Sequence, residues 1–319
     1  MLTPNASQQP TANHGYLKAF MPGKLTFGLF QPIEAYTGDQ PTMQGQVELA
    51  QYAEQNGFSS LLFRDVPLRD PNFGDNGQIY DVWTYLGYMA AHTKEIALLT
   101  GAIVLPLRHP LHTAKAAASI DQLSNGRLLL GVASGDRVVE FPAFAVDFES
   151  RGQAFRENLE ILKAVWEKQY PNIESRYGLL AGADVVPKPV SVRPPILITG
   201  FSQQNLEWVA DNADGWITYP RNFEAQANLI RQWKELSKRH QGIYKPISQS
   251  FMVDLADDPD EGPSPIHLGY RLGRNLLMKY LEGTQQIGID HIMFNLKFGK
   301  RPAKEVLQEL CEFVLPQFK

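Results

Sequence analysis

The stretch Ile96–Gly135 reads IALLTGAIVLPLRHPLHTAKAAASIDQLSNGRLLLGVASG and carries the pattern that decides the fold. An apolar run over Ile96–Leu105 is followed by an amphipathic segment over His112–Leu123 and a second apolar run over Leu128–Val132. Short apolar runs that alternate with longer amphipathic segments are typical of strand–helix–strand units in a parallel sheet. Ser124-Asn125-Gly126 stands where the helix should end, because glycine readily adopts the left-handed conformation of a helix cap. The stretch therefore predicts one β-α-β unit.

The same alternation runs from Leu25 to the end of the chain, and eight strand–helix units can be counted. The predicted strands are Leu25–Phe30, Ser60–Arg64, Ile96–Leu105, Leu128–Val132, Pro195–Thr199, Gly215–Tyr219, Ile247–Leu255 and His291–Asn295. The predicted helices are Thr42–Asn56, Tyr80–Thr93, His112–Leu123, Arg151–Glu167, Gln203–Asn212, Phe223–His240, Gly269–Gly288 and Pro302–Val314. Eight parallel strands can close into a barrel, which leaves no sheet edge open. We therefore predict an α/β fold with a single (β/α)8 TIM barrel, and a doubly wound open sheet is the alternative.

One barrel domain with two additions accounts for the whole chain. Residues 1–22 are predicted to be a flexible N-terminal arm, and residues 23–319 are predicted to form the barrel domain. The segment Tyr170–Pro195, just before the fifth strand, contains several prolines and only short apolar runs. We interpret it as an insertion, which could form a small hairpin over the barrel mouth.

Composition narrows the class of protein. The 319 residues are 44 % hydrophobic and 20 % charged, which suits one large α/β barrel. The net charge is −4 and the chain has no basic block of the kind that follows a phosphate backbone, so nucleic acid is not an expected partner. No apolar run approaches the roughly 20 residues needed to cross a bilayer. The single cysteine, Cys311, and the lack of an apolar core in the first twenty residues predict a cytoplasmic protein.

Three loops after predicted strands have the composition of a site: Phe63–Asp70, Ala133–Arg137 and Gly200–Asn205. In a barrel they share the face at which the strands end. The third loop enters a helix whose first backbone amides can bind a phosphate, although Ser202 capping that helix is an alternative reading. The second loop could be only a tight turn in which Asp136 and Arg137 are solvated or paired with each other. The charges of the first loop could form only an ion-pair network.

Several other classes of site are not supported by the sequence. His109 and His112 are three residues apart, but no further histidine or carboxylate spacing suggests a metal site, and capping or packing explains His112 better. The chain contains neither a Gly-x-Ser-x-Gly elbow nor a glycine-rich run ending in Gly-Lys-Ser or Gly-Lys-Thr. We therefore predict no metal, no esterase-type nucleophile and no P-loop.

Several motifs together resemble the bacterial-luciferase-like monooxygenases. They are Leu-Thr-Gly-Ala-Ile-Val-Leu-Pro (99–106), His109-Pro110, Asp-Gln-Leu-Ser-Asn-Gly-Arg-Leu-Leu-Leu-Gly-Val-Ala-Ser-Gly (121–135), Pro-Lys-Pro-Val (187–190) and Pro-Pro-Ile-Leu-Ile-Thr-Gly-Phe-Ser (194–202). The resemblance covers nearly everything from Leu25 to the last strand, and the Phe-Arg-Asp-Val-Pro-Leu-Arg-Asp loop (63–70) resembles an uncharacterised branch. It implies a barrel that holds FMN, often as reduced flavin, with the ring at the barrel mouth.

The resemblance also implies particular cofactor contacts. Gly101 and Ala102 match a non-proline cis peptide beside the flavin ring. The matching phosphate-binding positions are in the loop Ser134-Gly135, at Arg151, and in the turn that contains Gly200, Phe201, Ser202 and Asn205. Ser134 replaces an arginine of luciferase proper, so the backbone amides must contribute more, while the guanidinium of Arg151 suits phosphate oxygens.

Catalytic candidates follow from the same comparison of motifs. Luciferase has paired histidines where this chain has Asp65 and Val66, so light emission is not expected. His109 matches another active-site histidine of that family. We take Arg64, Asp65 and His109 as the catalytic candidates, with Arg64 and Asp65 as the substrate-facing pair.

The leading hypothesis is an FMN-dependent monooxygenase that receives FMNH2 from a separate flavin reductase and uses O2 to oxygenate a small organic molecule. One alternative is hydride transfer with FMN or a deazaflavin, and another is a non-catalytic flavin-binding accessory protein. A homodimer is expected, because family members commonly pair through barrel helices.

Overall fold

Eight parallel strands close into a barrel in the computed structural model, which describes residues 13–73, 77–240 and 243–318. In the order in which they are hydrogen-bonded around the barrel, the strands are β1 (Thr26–Phe30), β2 (Ser60–Phe63), β3 (Ala97–Thr100), β5 (Leu128–Ala133), β8 (Ile196–Thr199), β9 (Gly215–Thr218), β10 (Ile247–Leu255) and β13 (His291–Asn295). Strand β13 pairs with β1, and this pairing closes the ring. A short strand β4 (Ile103–Val104) follows β3 and pairs in parallel with the end of β5. The predicted TIM barrel is therefore confirmed, and the open-sheet alternative is wrong.

Helices cover the outside of the barrel. They are α2 (Gln46–Gln55), α3 (Val82–His92), α4 (Pro110–Leu123), α6 (Arg151–Glu167), α7 (Leu206–Asn212), α8 (Phe223–Lys238), α9 (Arg274–Ile287) and α10 (Ala303–Glu309), and a short helix α5 (Glu140–Ala143) follows β5. The last helix continues as a π turn over Leu310–Val314. No helix in the described part of the chain is long and apolar enough to span a bilayer.

Alternate residues of the strands pack into two separate cores. Leu61 and Leu98 belong to the core between strands and helices, whereas their neighbours Leu62 and Leu99 belong to a smaller core inside the barrel. This follows from the two-residue period of a strand, which points successive side chains to opposite faces. The barrel interior is therefore filled with side chains.

The first described helix, α1 (His14–Ala19), closes the bottom of the barrel. Tyr16 and Phe20 are buried in the inner core, and the Tyr16 hydroxyl donates to the carbonyl oxygens of Asp214 (3.1 Å) and Tyr244 (2.8 Å). Over residues 13–20 the structure differs from the flexible arm that the sequence predicted, because two aromatic side chains dock against the barrel. Residues 1–12 of that arm lie outside the described residues, and the domain boundary stays a prediction.

The predicted insertion does form a hairpin, with strands β6 (Ile173–Ser175) and β7 (Gly178–Leu180). The hydroxyl of Tyr177, in the hairpin turn, accepts a hydrogen bond from Asn158 Nδ2 on α6 (2.5 Å). The Tyr177 ring packs edge-on against the His109 ring, with the two ring centroids 5.7 Å apart. The hairpin therefore lies against α6 and the start of α4. The expectation that it would lie over the barrel mouth was wrong.

A second hairpin was not predicted. Strands β11 (Ser264–Ile266) and β12 (Gly269–Leu272) follow β10, so α9 begins at Arg274 and not at Gly269. β12 pairs in parallel with the end of β10, and a Cβ at Gly269 would lie only 1.8 Å from the carbonyl oxygen of Met252. The tip of this hairpin, His267 and Leu268, reaches the mouth of the barrel.

Candidate active site

A cavity of about 850 Å³ opens at the C-terminal ends of the barrel strands. Its floor includes Leu62, Ile217 and Met293, which also belong to the inner core. The volume lies in the range of pockets that hold cofactors and small ligands. Its position matches the end of the barrel at which TIM-barrel enzymes carry their active sites.

Most of the site residues expected from the sequence line this one cavity. They are Arg64, Asp65, Gly101, Ala102, Ser134, Gly135, Gly200, Phe201 and Ser202. The peptide bond between Gly101 and Ala102 is cis. Three others are not on the cavity wall: His109 is exposed at the start of α4, Asn205 caps α7, and Arg151 lies at the start of α6.

The loop Gly200–Gln204 forms a tight left-handed turn on the cavity wall. Gly200, Ser202 and Gln203 all have positive φ (57°, 48° and 61°). Ser202 Oγ donates to the carbonyl oxygen of Thr199 (3.0 Å), while Asn205 Oδ1 accepts from the backbone N–H of Trp208 (2.8 Å). The helix cap is therefore Asn205, and the alternative in which Ser202 caps the helix is wrong. Within the described residues, the backbone N–H groups of Ser202 and Gln203 have no acceptor.

Gln204 connects this turn to the start of α6. Its Nε2 donates to the carbonyl oxygens of Gly152 (2.9 Å) and Ser202 (3.0 Å), and its Oε1 accepts from Arg156 Nε. A Cβ at Gly152 would lie 2.8 Å from the Cβ of Gln203, so only glycine allows this approach without a shift. The turn and the α6 N-terminus therefore form one rigid unit.

Arg151 lies beside that unit. Its guanidinium stacks 3.6 Å over the ring of Phe148, and Nη1 donates to the Phe148 carbonyl oxygen (2.7 Å). Its Nε is buried and has no acceptor among the described residues. Phe148 thus holds Arg151 in place, and the Arg151 Nε–H remains available to a ligand. The side chain is close to the cavity but outside its wall.

The loop after β5 brings a buried ion pair to the wall. Arg137 Nη1 lies 3.8 Å from Glu140 Oε1, and the Arg137 guanidinium lies 4.3 Å over the Phe73 ring. Burial raises the pKa of the Glu140 carboxyl to about 6, while Arg137 and the backbone amide of Leu68 act against this rise. Arg137 therefore pairs with Glu140, which differs from the Asp136 pairing considered from the sequence.

Asp65 is fully engaged by its neighbours. Its carboxylate accepts from Arg108 Nε (2.8 Å), from Arg108 Nη2 (2.6 Å) and from the backbone N–H of Val104 (3.1 Å). The backbone of the adjacent Arg64 is bonded to Gln78 through its N–H (3.1 Å) and its carbonyl oxygen (2.8 Å). These contacts fix the loop that presents Arg64 and Asp65 to the cavity.

Sequence reasoning missed the residues contributed by the last three strands and the second hairpin. They are Tyr219, Ser250, Met252, His267, Leu268 and Asn295. Tyr219 and Asn295 are the last residues of predicted strands, and Ser250 and Met252 lie within the predicted strand Ile247–Leu255. Membership of these strands was therefore a usable signal for the four residues. His267 and Leu268 had no such signal, because the hairpin that carries them was predicted as helix.

The donors on the wall fit a flavin mononucleotide. Such a cofactor needs an apolar slot for its ring and several hydrogen-bond donors for its phosphate. Thr199 Oγ1 and Ser250 Oγ are buried and unpartnered among the described residues, and the backbone N–H groups of Ser202 and Gln203 have no acceptor there. Arg151 Nε, just outside the wall, is also buried without an acceptor among these residues. In the same part of the chain, no group of three or more His, Cys, Asp or Glu side chains is arranged to hold a metal ion.

The family model of luciferase-like monooxygenases matches residues 25–263. A protein of Mycobacterium tuberculosis (strain ATCC 25618 / H37Rv), described as uncharacterised, is 31 % identical over 191 residues, which are 55 % of this chain and 67 % of that protein. The oxygenase component of a flavin-dependent trigonelline monooxygenase from Acinetobacter baylyi is 23 % identical over 258 residues, 77 % of this chain and 70 % of that protein.

Two solved structures share the fold at low sequence identity. Monooxygenase RslO1 from Streptomyces bottropensis has a TM-score of 0.76 and 18 % identity, covering 92 % of this chain and 100 % of that one. An F420-dependent secondary alcohol dehydrogenase has the same TM-score and identity, with 93 % and 99 % covered. Enzymes with this fold therefore include a monooxygenase and an F420-dependent dehydrogenase.

Proposed function

The chain belongs to the luciferase-like monooxygenase family of oxidoreductases, and from that premise we propose that it is an FMN-dependent monooxygenase. The proposed enzyme receives FMNH2 from a separate flavin reductase and uses O2 to oxygenate a small organic substrate. The bound reduced flavin would supply the electrons that activate O2.

One observation carries the proposal: the cis peptide, the Ser134-Gly135 loop and the left-handed turn 200–203 line a single cavity. The Ser202 and Gln203 amides and the Nε of the neighbouring Arg151, which have no acceptor among the described residues, are available to a phosphate. Charge-assisted hydrogen bonds of this kind hold phosphate groups strongly. The lining of the cavity as a whole is more apolar than polar, as the flat ring of a flavin requires.

The remaining roles fall to residues that face the open part of the cavity. Arg64 is proposed to orient the substrate, and Asp65 is proposed to keep that loop in place through Arg108. Phe30, Met252 and Leu268 provide an apolar surface that excludes water around the reacting groups. His109 lies off the cavity wall, so we do not include it among these residues.

Hydride transfer with a deazaflavin is the second candidate. It is favoured by the equal similarity of the fold to a monooxygenase and to an F420-dependent dehydrogenase. The third candidate is a non-catalytic flavin-binding protein, which would bind the cofactor through the same residues but catalyse no reaction.

Anaerobic titration of the apoprotein with FMN, FMNH2 and the deazaflavin, followed by calorimetry, tests the proposal. Preference for FMNH2 supports the monooxygenase, and preference for the deazaflavin replaces it with hydride transfer. If no flavin binds, the proposed function is wrong. Light scattering on the same sample tests the proposed homodimer, because the monomer mass is 35.8 kDa and a dimer has twice that value.

A further inference from the structure

Glu140 is a buried acid in the cavity wall that the proposed cofactor contacts do not use. It stands at the start of α5, and its side chain is only 2 % exposed. Its Oε1 atom is buried and accepts no hydrogen bond from any described residue. A buried carboxylate oxygen without a donor is costly, and protonation or a ligand that donates to it removes that cost.

The groups around Glu140 leave both protonation states accessible. Arg137 Nη1, at 3.8 Å, favours the carboxylate but lies beyond hydrogen-bonding distance. The backbone amide of Leu68 acts in the same direction, whereas burial and the negative charges of Asp65 and Asp136 favour the acid. The resulting pKa of about 6 lies close enough to neutrality for a small change in surroundings to alter the charge.

The backbone holds this carboxyl firmly in the wall. The Glu140 N–H donates to the carbonyl oxygen of Arg137 (3.1 Å), and the next residue, Phe141, is fully buried against the ring of Phe148 at a centroid distance of 4.9 Å. The carboxyl therefore remains at the wall when a ligand enters. A ligand that covers this wall displaces water and disfavours the carboxylate further.

We propose that Glu140 is the proton-carrying residue of the cavity, which takes up a proton when a flavin covers the wall and holds it for transfer to a bound molecule. The inference rests on the flavin-binding function proposed above. In the transfer, the carboxylic O–H bond breaks and the proton bonds to a lone pair on an oxygen or nitrogen of the bound molecule. Glu140 is left as a carboxylate whose charge Arg137 balances, and no electrons change hands other than the shared lone pair.

Proton uptake is measured directly by titrating the protein with FMN at pH 7 in buffers that differ in ionisation enthalpy. The wild type is expected to take up as much as about 0.9 proton per flavin at Glu140, because a group with a pKa near 6 is about one-tenth protonated at pH 7. The FMN phosphate contributes its own proton exchange, so the decisive quantity is the difference from Glu140→Gln. The exposed Glu160→Gln is the matched control and should retain the wild-type uptake.

Infrared spectra of the ligand-free protein between pH 5 and pH 8 provide a second test. Burial also raises the pKa of Asp121 to about 6, so the decisive quantity is the difference between wild type and Glu140→Gln. A carboxylic acid band that disappears near pH 6 and is weaker in Glu140→Gln by one carboxyl group supports the inference, and bands of equal intensity contradict it. If the glutamine variant does not fold, Glu140→Asp replaces it with a different readout: its shorter carboxyl should shift the frequency or the titration midpoint of the band relative to the wild type. Equal proton uptake in the wild type and Glu140→Gln overturns the inference and leaves the proposed function standing. If neither protein binds a flavin, both fail.

Discussion

Arg108 and Asp65 form a bidentate ion pair at the rim of the cavity, although they are 43 residues apart in the chain. Arg108 Nε lies 2.8 Å from Asp65 Oδ2, and Arg108 Nη2 lies 2.6 Å from Asp65 Oδ1. Asp65 is 2 % exposed in its side chain and Arg108 is 24 % exposed, so the pair is largely shielded from water. It joins the loop after β2 to the start of α4. We therefore expect Asp65 to act on the site mainly by holding its loop in place.

Asp65→Ala is expected to lower the free energy of unfolding by about 2–4 kcal/mol, because it removes both short ion-pair contacts of the largely buried Arg108. Only the exposed Asp81, 3.8 Å away, then remains as a counter-charge. Urea denaturation measures the change. Asp39→Ala is the matched control, since Asp39 forms a similar two-pronged pair with Arg69 at an exposed position and should cost much less. Equal losses in the two variants would contradict the structural role assigned to Asp65.

Arg151→Ala is expected to weaken FMN binding by about 1–3 kcal/mol through lost charge-assisted hydrogen bonds to the phosphate. Titration calorimetry gives the affinity. Arg176→Ala, at an exposed ion pair with Glu157 on the first hairpin, removes the same charge far from the turn and should leave the affinity unchanged. An unchanged affinity for Arg151→Ala would remove Arg151 from the phosphate site.

Gly135→Ala is expected to destabilise the protein by about 1–3 kcal/mol more than Gly182→Ala. Both glycines have positive φ (85° and 71°), so both variants are strained by the backbone conformation alone. At Gly135 the added Cβ would also lie 2.7 Å from Val104 Cγ1 and 3.0 Å from the Phe141 ring, whereas at Gly182 no atom of the described residues lies within 4 Å. Thermal unfolding compares the stability of the two variants. Equal destabilisation would show that the loop around Gly135 shifts to accommodate the added Cβ without further cost.

His291 is expected to make the protein less stable as the pH falls from about 6.5 to about 3. Its side chain is fully buried between Ser60 Oγ (2.7 Å) and Thr26 Oγ1 (2.8 Å), and burial lowers its pKa to about 3. Below pH 6.5 this histidine binds a proton in the unfolded chain but not in the folded chain. The free energy of unfolding therefore falls by as much as about 1.4 kcal/mol for each pH unit of acidification.

Urea denaturation at pH 7, 5 and 4 checks this pH dependence. His291→Gln should flatten the dependence relative to the wild type, while His267→Gln, at an exposed turn, should leave it unchanged. The comparison of slopes remains informative even if His291→Gln is less stable at every pH. A wild-type slope in His291→Gln would assign the acid sensitivity to other groups.

The barrel itself could be predicted because its strands are short apolar runs that recur with the spacing of strand–helix units. The start of α9 could not: Gly269–Leu272 becomes a strand only because β10 extends far enough to pair with it. The pairing of Asp65 with Arg108 was missed for the same physical reason, since it depends on two loops meeting in space. The sequence suggested Ser202 as the possible helix cap, whereas the left-handed turn before the helix makes Asn205 the cap.

Because Tyr16 and Phe20 of α1 close the bottom of the barrel, they affect the order in which molecules bind in the cavity. Aromatic rings fill the bottom of the barrel, and the inner core is packed up to Leu62 and Met293. Molecules are therefore expected to enter and leave the cavity through its opening at the C-terminal ends of the strands. Whatever binds deepest must arrive first and depart last, so the molecules that share the cavity are expected to follow a compulsory order of addition and release.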